Sequence, residues 1–199
     1  SCNQAFIGRK DEIKAIASHL SNQSVLFITG MAGIGKSEVA KAYAQTNRKK
    51  YTNIIYLYYT GDLRKDIANL TFADDSVEMN EEVRFQNHYK VMQRLHTDTL
   101  LILDNFNVLP KDEPFLKELM KNDMQLLITS RCKLKNYDSI EIKELDKEKE
   151  LTELFYKHCP SAKRDPDSVS AIIEEVNCHT LTVCMAALTL EASGMEPEE

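Results

Sequence analysis

Lys36, Ser37 and Asp104 are the side chains best suited to phosphate chemistry, and glycines set the spacing of the first two. Gly30-Met31-Ala32-Gly33-Ile34-Gly35-Lys36-Ser37 fits the phosphate-binding pattern G-x-x-x-x-G-K-[ST] at every fixed position. Glycines let such a loop wrap closely enough for backbone N–H groups to face phosphate oxygens, and a following helix N-terminus adds about half a positive charge. Lys36 then reaches the β- and γ-phosphates and Ser37 ligates Mg²⁺. Gly30, Ala32, Gly33, Ile34, Gly35 and Glu38 complete the expected phosphate cradle. The competing reading is a glycine-rich turn without a ligand, which the flanking segments disfavour.

A second acidic position follows an apolar run, Thr99-Leu100-Leu101-Ile102-Leu103-Asp104-Asn105. A strand buried on both faces is continuously apolar, and its C-terminal end is where an α/β sheet meets its ligand. The segment resembles a Walker B strand, with Asp104 touching Mg²⁺ directly or through water; otherwise Asp104 merely ends a strand. Met124 to Thr129 is a further apolar run that closes on Ser130-Arg131. At that strand end Arg131 would neutralise γ-phosphate charge, the alternative being an ordinary surface arginine.

Positioning these groups requires alternating strands and helices. Val25-Leu26-Phe27-Ile28-Thr29 is apolar and β-branched, and after Glu38 the residues Val39, Ala40, Tyr43 and Ala44 recur at helical spacing. Upstream, Ile13, Ile16, Ala17 and Leu20 form the apolar stripe of a helix over 11–20. Arg48-Lys49-Lys50 reads as a solvated helix end, and Asn53 to Tyr59 as a buried strand whose tyrosines fill core and edge. A short helix from Gly61-Asp62 to Leu70, a mobile acidic loop from Asp74 to Glu82 and a helix over 81–96 come next. Residues 114–121 read as a helix and 139–142 as a short fifth strand. Beyond Glu144 the pattern is helical, over 146–158, 166–177 and 179–192.

The fold class expected is therefore α/β, a P-loop three-layer fold over 1–144 with a small all-α domain over 145–199. A strand and two helices separate the phosphate loop from Asp104. In this the chain resembles the AAA-like branch of P-loop proteins, which inserts a strand between the two motif strands, and the resemblance implies a parallel five-stranded sheet of order 5-1-4-3-2. No N-K-x-D element reads guanine, so adenine is the expected base.

The bulk properties narrow the setting. A chain of 199 residues, 43% hydrophobic and 28% charged, is an ordinary globular sequence long enough for one sizeable core and a small second unit. A net charge of −6 disfavours nucleic acid as the partner of this segment. No apolar run approaches the ~20 residues that span a bilayer, and the N-terminus lacks a signal-peptide core, so no membrane partner and a cytoplasmic home are expected. The five cysteines are odd in number and form no C-x-x-C pair, which reads as reduced thiols. A start at Ser1 points to a segment of a longer protein.

Taken together, Phe6-Ile7-Gly8-Arg9, the phosphate loop, Leu101-Ile102-Leu103-Asp104-Asn105 and Leu127-Ile128-Thr129-Ser130-Arg131 resemble the NB-ARC branch of the STAND ATPases. That family includes apoptotic adaptors, plant disease-resistance proteins and many bacterial regulators. Leu145 to Phe155 resembles the helix opening the family's first small helical domain. The resemblance implies that Ile7, Gly8 and Arg9 pack against adenine and ribose, that Lys36 and Ser37 hold phosphates and Mg²⁺, that Asp104 is the Walker B carboxylate, and that Arg131 senses the γ-phosphate. It also implies an effector domain before this region, winged-helix and repeat domains after it, and homo-oligomers in the ATP state.

Two positions depart from the family's pattern. Asn105 stands at a catalytic position where hydrolytic relatives often carry a glutamate, and an amide cannot take a proton from water. Slow hydrolysis is expected. Cys178-His179-Thr180-Leu181 resembles the family's G-L-P-L segment with Thr180 in place of proline, which brings His179 and Leu181 near the nucleotide; His179 either stacks on the base or caps the last helix. The expected function is an ATP/ADP switch with weak ATPase activity that controls signalling or self-assembly. A nucleotide-binding module without hydrolysis and a steadily turning-over AAA motor are the alternatives.

Overall fold

The computed structural model describes residues 9–72, 79–132, 134–145 and 150–194. Five strands, β1 (Val25–Thr29), β2 (Asn53–Tyr58), β3 (Thr99–Asp104), β4 (Gln125–Ser130) and β5 (Ser139–Glu141), form one sheet of order β2-β3-β4-β1-β5. Every pairing is parallel. From the other edge this is the expected order 5-1-4-3-2.

Burial follows from position in the sheet. Every residue of β3 and of β4 is buried, as the unbroken apolar runs require of central strands in a parallel sheet. Phe27, Leu101, Leu103, Leu126 and Ile128 share one core with Leu63, Ile67, Phe85, Met92, Leu116 and Leu119. These last come from helices α3 (Leu63–Ala68), α4 (Glu81–Met92) and α5 (Phe115–Leu119). Leu26, Ile28, Leu100, Ile102 and Leu127 alternate with the first set and are equally buried. On that side lie α1 (Lys10–Leu20) and α2 (Lys36–Thr46), α2 touching β1, β3 and β4. A buried polar chain ties both to the sheet: the Tyr43 and Tyr51 hydroxyls lie 2.5 Å apart, Tyr51 donates to Gln125 Oε1 at 2.6 Å, and Gln125 donates to the Leu20 carbonyl.

β2 departs from the buried strand expected. It is an edge strand with β3 as its partner, and Tyr56 and Tyr58 are 39% and 54% exposed. Tyrosine hides this in the sequence, because its ring reads as apolar while its hydroxyl remains content in water. Helices also end earlier than periodicity suggests. α4 stops at Met92, with Leu95 and the residues around it in turns. Arg48–Lys50 forms a 3-10 turn rather than a continuation of α2.

The described C-terminal helices are α6 (Thr152–His158), α7 (Pro166–Glu175) and α8 (Thr180–Ser193), with a 3-10 turn over Pro160–Arg164. α7 starts on Asp165, whose carboxylate accepts from Ser168 N, with Pro166 at the first helical position. Leu151, Phe155, Val169, Ile173, Val183 and Ala187 form their own buried core. By its contacts the chain divides into two units, one of Asp11–Gly30 and Lys36–Glu141, the other of Ser1–Lys10, Met31–Gly35 and Ile142–Glu199. The crown of the glycine loop thus groups with the C-terminal helices. Most of the expected acidic loop and the start of the helix expected at 146 lie outside the described residues. Among those residues no helix is long and apolar enough to cross a membrane. Cys132, Cys159, Cys178 and Cys184 are free thiols.

Candidate functional site

β1 ends at Thr29, the glycine loop turns, and α2 begins at Lys36, so the loop opens a helix as phosphate binding requires. Gly33 and Gly35 have φ of +71° and +99°, a backbone that side chains rarely adopt. Lys36 is 9% exposed and its Nζ donates to the Gly30 carbonyl at 2.9 Å. Burial, helped by the charge of Arg131 and opposed by that of Asp104, pulls its ammonium below the usual lysine value. Ser37 Oγ donates to Asp104 Oδ1 at 2.7 Å, joining the two motifs across 67 residues of sequence.

Asp104 is 4% exposed, and its carboxylate is held from several sides. Thr129 Oγ1, from β4, donates to Oδ1 at 2.5 Å, and the Tyr56 hydroxyl, from β2, donates to Oδ2. Burial raises the carboxyl pKa, but the hydrogen bonds from Thr129, Tyr56, Ser37 and the Asn105 backbone together outweigh it and leave it below the usual aspartate value. Conversely, burial and the Asp104 carboxylate push the Tyr56 phenol well up. Tyr56 therefore belongs to this cluster and is not the filler expected of a strand tyrosine. Thr129 joins it as well.

Asn105 turns the chain at φ +64°, a left-handed conformation that asparagine tolerates better than most residues. Its N–H donates to Thr129 Oγ1 at 2.9 Å, and its Oδ1 accepts from Asn107 Nδ2 at 2.5 Å. Asn107 Oδ1 in turn accepts from the Arg131 N–H at 2.9 Å. The ends of β3 and β4, and with them Asp104 and Arg131, are linked through these asparagines. Asn107 carried no signal in the sequence, since its role depends on a partner 24 residues away.

The other expected residues fall as follows. Arg9 is 6% exposed, takes φ +61°, and donates from Nη2 to the Ile34 carbonyl at 3.4 Å. His179 Nε2 lies 2.9 Å from the Ala32 carbonyl, and Leu181 approaches Gly33. His179 does occupy the N-cap position of α8, yet its side chain makes no capping bond. Glu38 pairs with Lys41 at 3.0 Å on the exposed side of α2. Ile7 and Gly8 lie outside the described residues. Ser37 Oγ and Asp104 Oδ1 are hard oxygen donors close enough to share one cation, a set that suits Mg²⁺, which takes few protein ligands and keeps waters and phosphates for the rest.

Comparison with known proteins identifies the family and the fold. The family model described as an AAA domain matches residues 18–136, the span that carries the phosphate loop, Asp104 and Arg131. The chain belongs to the AAA-domain family. This AAA domain has the fold of a Walker-type ATPase of Pyrococcus abyssi, at 12% identity, with a TM-score of 0.66 over 96% of this chain and 69% of that one. It is similar to AMPPCP-bound DnaA from Aquifex aeolicus, at 17% identity and TM-score 0.62, over 98% of this chain and 65% of that one. Drosophila ORC bound to DNA matches at 12% identity and TM-score 0.62, over 92% of this chain and 61% of that one. The AAA domain thus spans about three fifths of the length of the Drosophila chain. No curated protein matches it in sequence.

Proposed function

We propose that this chain binds ATP and ADP with Mg²⁺ at the glycine loop and works as a nucleotide-operated switch of the STAND type, with slow ATP hydrolysis. The observation that carries the binding reading is the 2.7 Å hydrogen bond from Ser37 to Asp104, which sets the loop's hydroxyl beside the β3 carboxylate. In this reading Lys36 exchanges the Gly30 carbonyl for phosphate oxygens, a stronger, charge-assisted contact. Ser37 and Asp104 hold Mg²⁺, which when bound neutralises charge on the β- and γ-phosphate oxygens. Arg131, whose charge already acts on Lys36, answers to the γ-phosphate. Ile7, Gly8 and Arg9 serve adenine and ribose, Arg9 also bracing the loop through the Ile34 carbonyl.

The switch reading draws support from the membership of Met31–Gly35 in the same unit as Ile142–Glu199. In this reading the backbone that would wrap the phosphates shares its unit with Ile142–Glu199, so a nucleotide bound there would act on those helices. ADP would stabilise a closed state, and ATP would favour opening and self-association.

Asn105 supports the slow rate. An amide takes no proton, and this one already accepts from Asn107. The same feature favours a second reading, a nucleotide-binding module that does not hydrolyse. Single-turnover measurement with ATP and Mg²⁺ separates the two: slow ADP formation, with binding retained and turnover lost in Asp104→Ala, is expected of the switch. ADP formation unchanged in Asp104→Ala would overturn the assignment of Asp104.

A further inference from the structure

The ring of His179 is fixed at both nitrogens. Its Nε2 lies 2.9 Å from the Ala32 carbonyl oxygen, which only accepts, so Nε2 carries the proton. Its Nδ1 is 3.2 Å from Thr182 Oγ1, and in the neutral imidazole with its proton on Nε2 it accepts from that hydroxyl. Gly33 leaves no room for a side chain beside this ring: a Cβ there would stand 2.6 Å from His179 Cε1 and 3.1 Å from Leu181 Cβ. Gly33 is not a fixed position of the phosphate pattern. Its lack of a side chain is accounted for by the imidazole and by its φ of +71°.

The Ala32–Gly33 peptide is planar and trans, so its C=O and N–H point in opposite directions. A carbonyl held on His179 turns the Gly33 N–H to the other side of the loop. We propose that His179 is a positioning residue for phosphate: by holding the Ala32 carbonyl, it presents the Gly33 N–H to the anion that the loop binds. This rests on the phosphate-binding reading above. It differs from stacking of His179 on the base, because it acts through the loop backbone and is indifferent to the nucleoside. Preorganised amides bind charge without reorganisation, and a lost neutral hydrogen bond of this kind is worth about five-fold in affinity.

The test compares the parent chain with His179→Ala, His179→Gln and His179→Asn, titrated with ATP and with inorganic tripolyphosphate, which has no base. Glutamine carries its amide nitrogen near the place of Nε2, whereas asparagine carries it near Nδ1, short of Ala32. His179→Ala and His179→Asn should each lose about five-fold for both ligands, and His179→Gln should keep parental affinity. Equal melting temperatures across the set separate positioning from misfolding, and His179→Gln alone remains informative if the alanine variant fails to fold. Loss confined to ATP would overturn the proposal in favour of base stacking. Unchanged tripolyphosphate affinity in His179→Ala, or a loss in a folded His179→Gln equal to that in His179→Ala, would also overturn it. A parent that binds neither ligand would overturn the phosphate-binding reading itself, an outcome visible before any variant is compared.

Discussion

Asp104 keeps its charge while 4% exposed because Ser37, Thr129 and Tyr56 each donate to it, and the Asn105 N–H reaches it through the same turn. A carboxylate supplied in this way is oriented before any cation arrives. The residue after it is limiting in our account. Asn105 sits at φ +64° with its amide oxygen already accepting, so it neither takes a proton nor is free to turn. Asn105→Glu would place a carboxylate there, and because a positioned general base contributes about 10²-fold or more, single-turnover hydrolysis should rise by at least about tenfold even with imperfect placement. The left-handed backbone should cost the variant about 1 kcal/mol of stability, read from its denaturant midpoint. An unchanged rate in a folded variant would mean that proton removal does not limit turnover. Lys36, Ser37, Asp104 and Arg131 stand out in the sequence because their chemistry is local to a motif or a strand end. Tyr56 and Asn107 do not, since a hydroxyl or an amide declares its role only when the fold brings its partner near.

Among the elements, the central strands were the most legible and the edge the least. The unbroken apolar runs of β3 and β4 match their complete burial, whereas β2 reads the same way and lies at the edge with Tyr58 54% exposed. Helix α8 was expected over 179–192, and its start is informative at the level of single torsions. His179 has φ −75° and ψ 117°, the extended backbone that a residue before proline prefers. Thr180 is the first helical residue, where the N–H has no helical partner to lose, and its Oγ1 is buried without a hydrogen bond. Thr180→Pro removes that hydroxyl and restricts the unfolded chain. It should raise stability by about 0.4–1 kcal/mol, seen as a higher urea midpoint at unchanged slope. A lower midpoint would show that the hydroxyl or the flexibility of this turn supports the fold. The proline of the resembled G-L-P-L segment is thus compatible with this backbone.

At the scale of the whole molecule, the sheet has the order that resemblance to the AAA-like branch implied. A strand and two helices between the phosphate loop and Asp104 leave room for β4 to sit between β1 and β3, as it does. What periodicity did not reveal is that Met31–Gly35 groups with the C-terminal helices while the strand and helix on either side of it belong to the other unit. A glycine loop has no apolar face to announce where it packs. The switch reading depends on this membership, and the binding reading beneath it depends on Lys36. The most direct test is a calorimetric titration of the purified chain with ATP and Mg²⁺, set beside Lys36→Ala of equal melting temperature. One-to-one saturable binding by the parent and none by the variant is the predicted result. Equal binding by both, or no binding by the parent, would contradict the account.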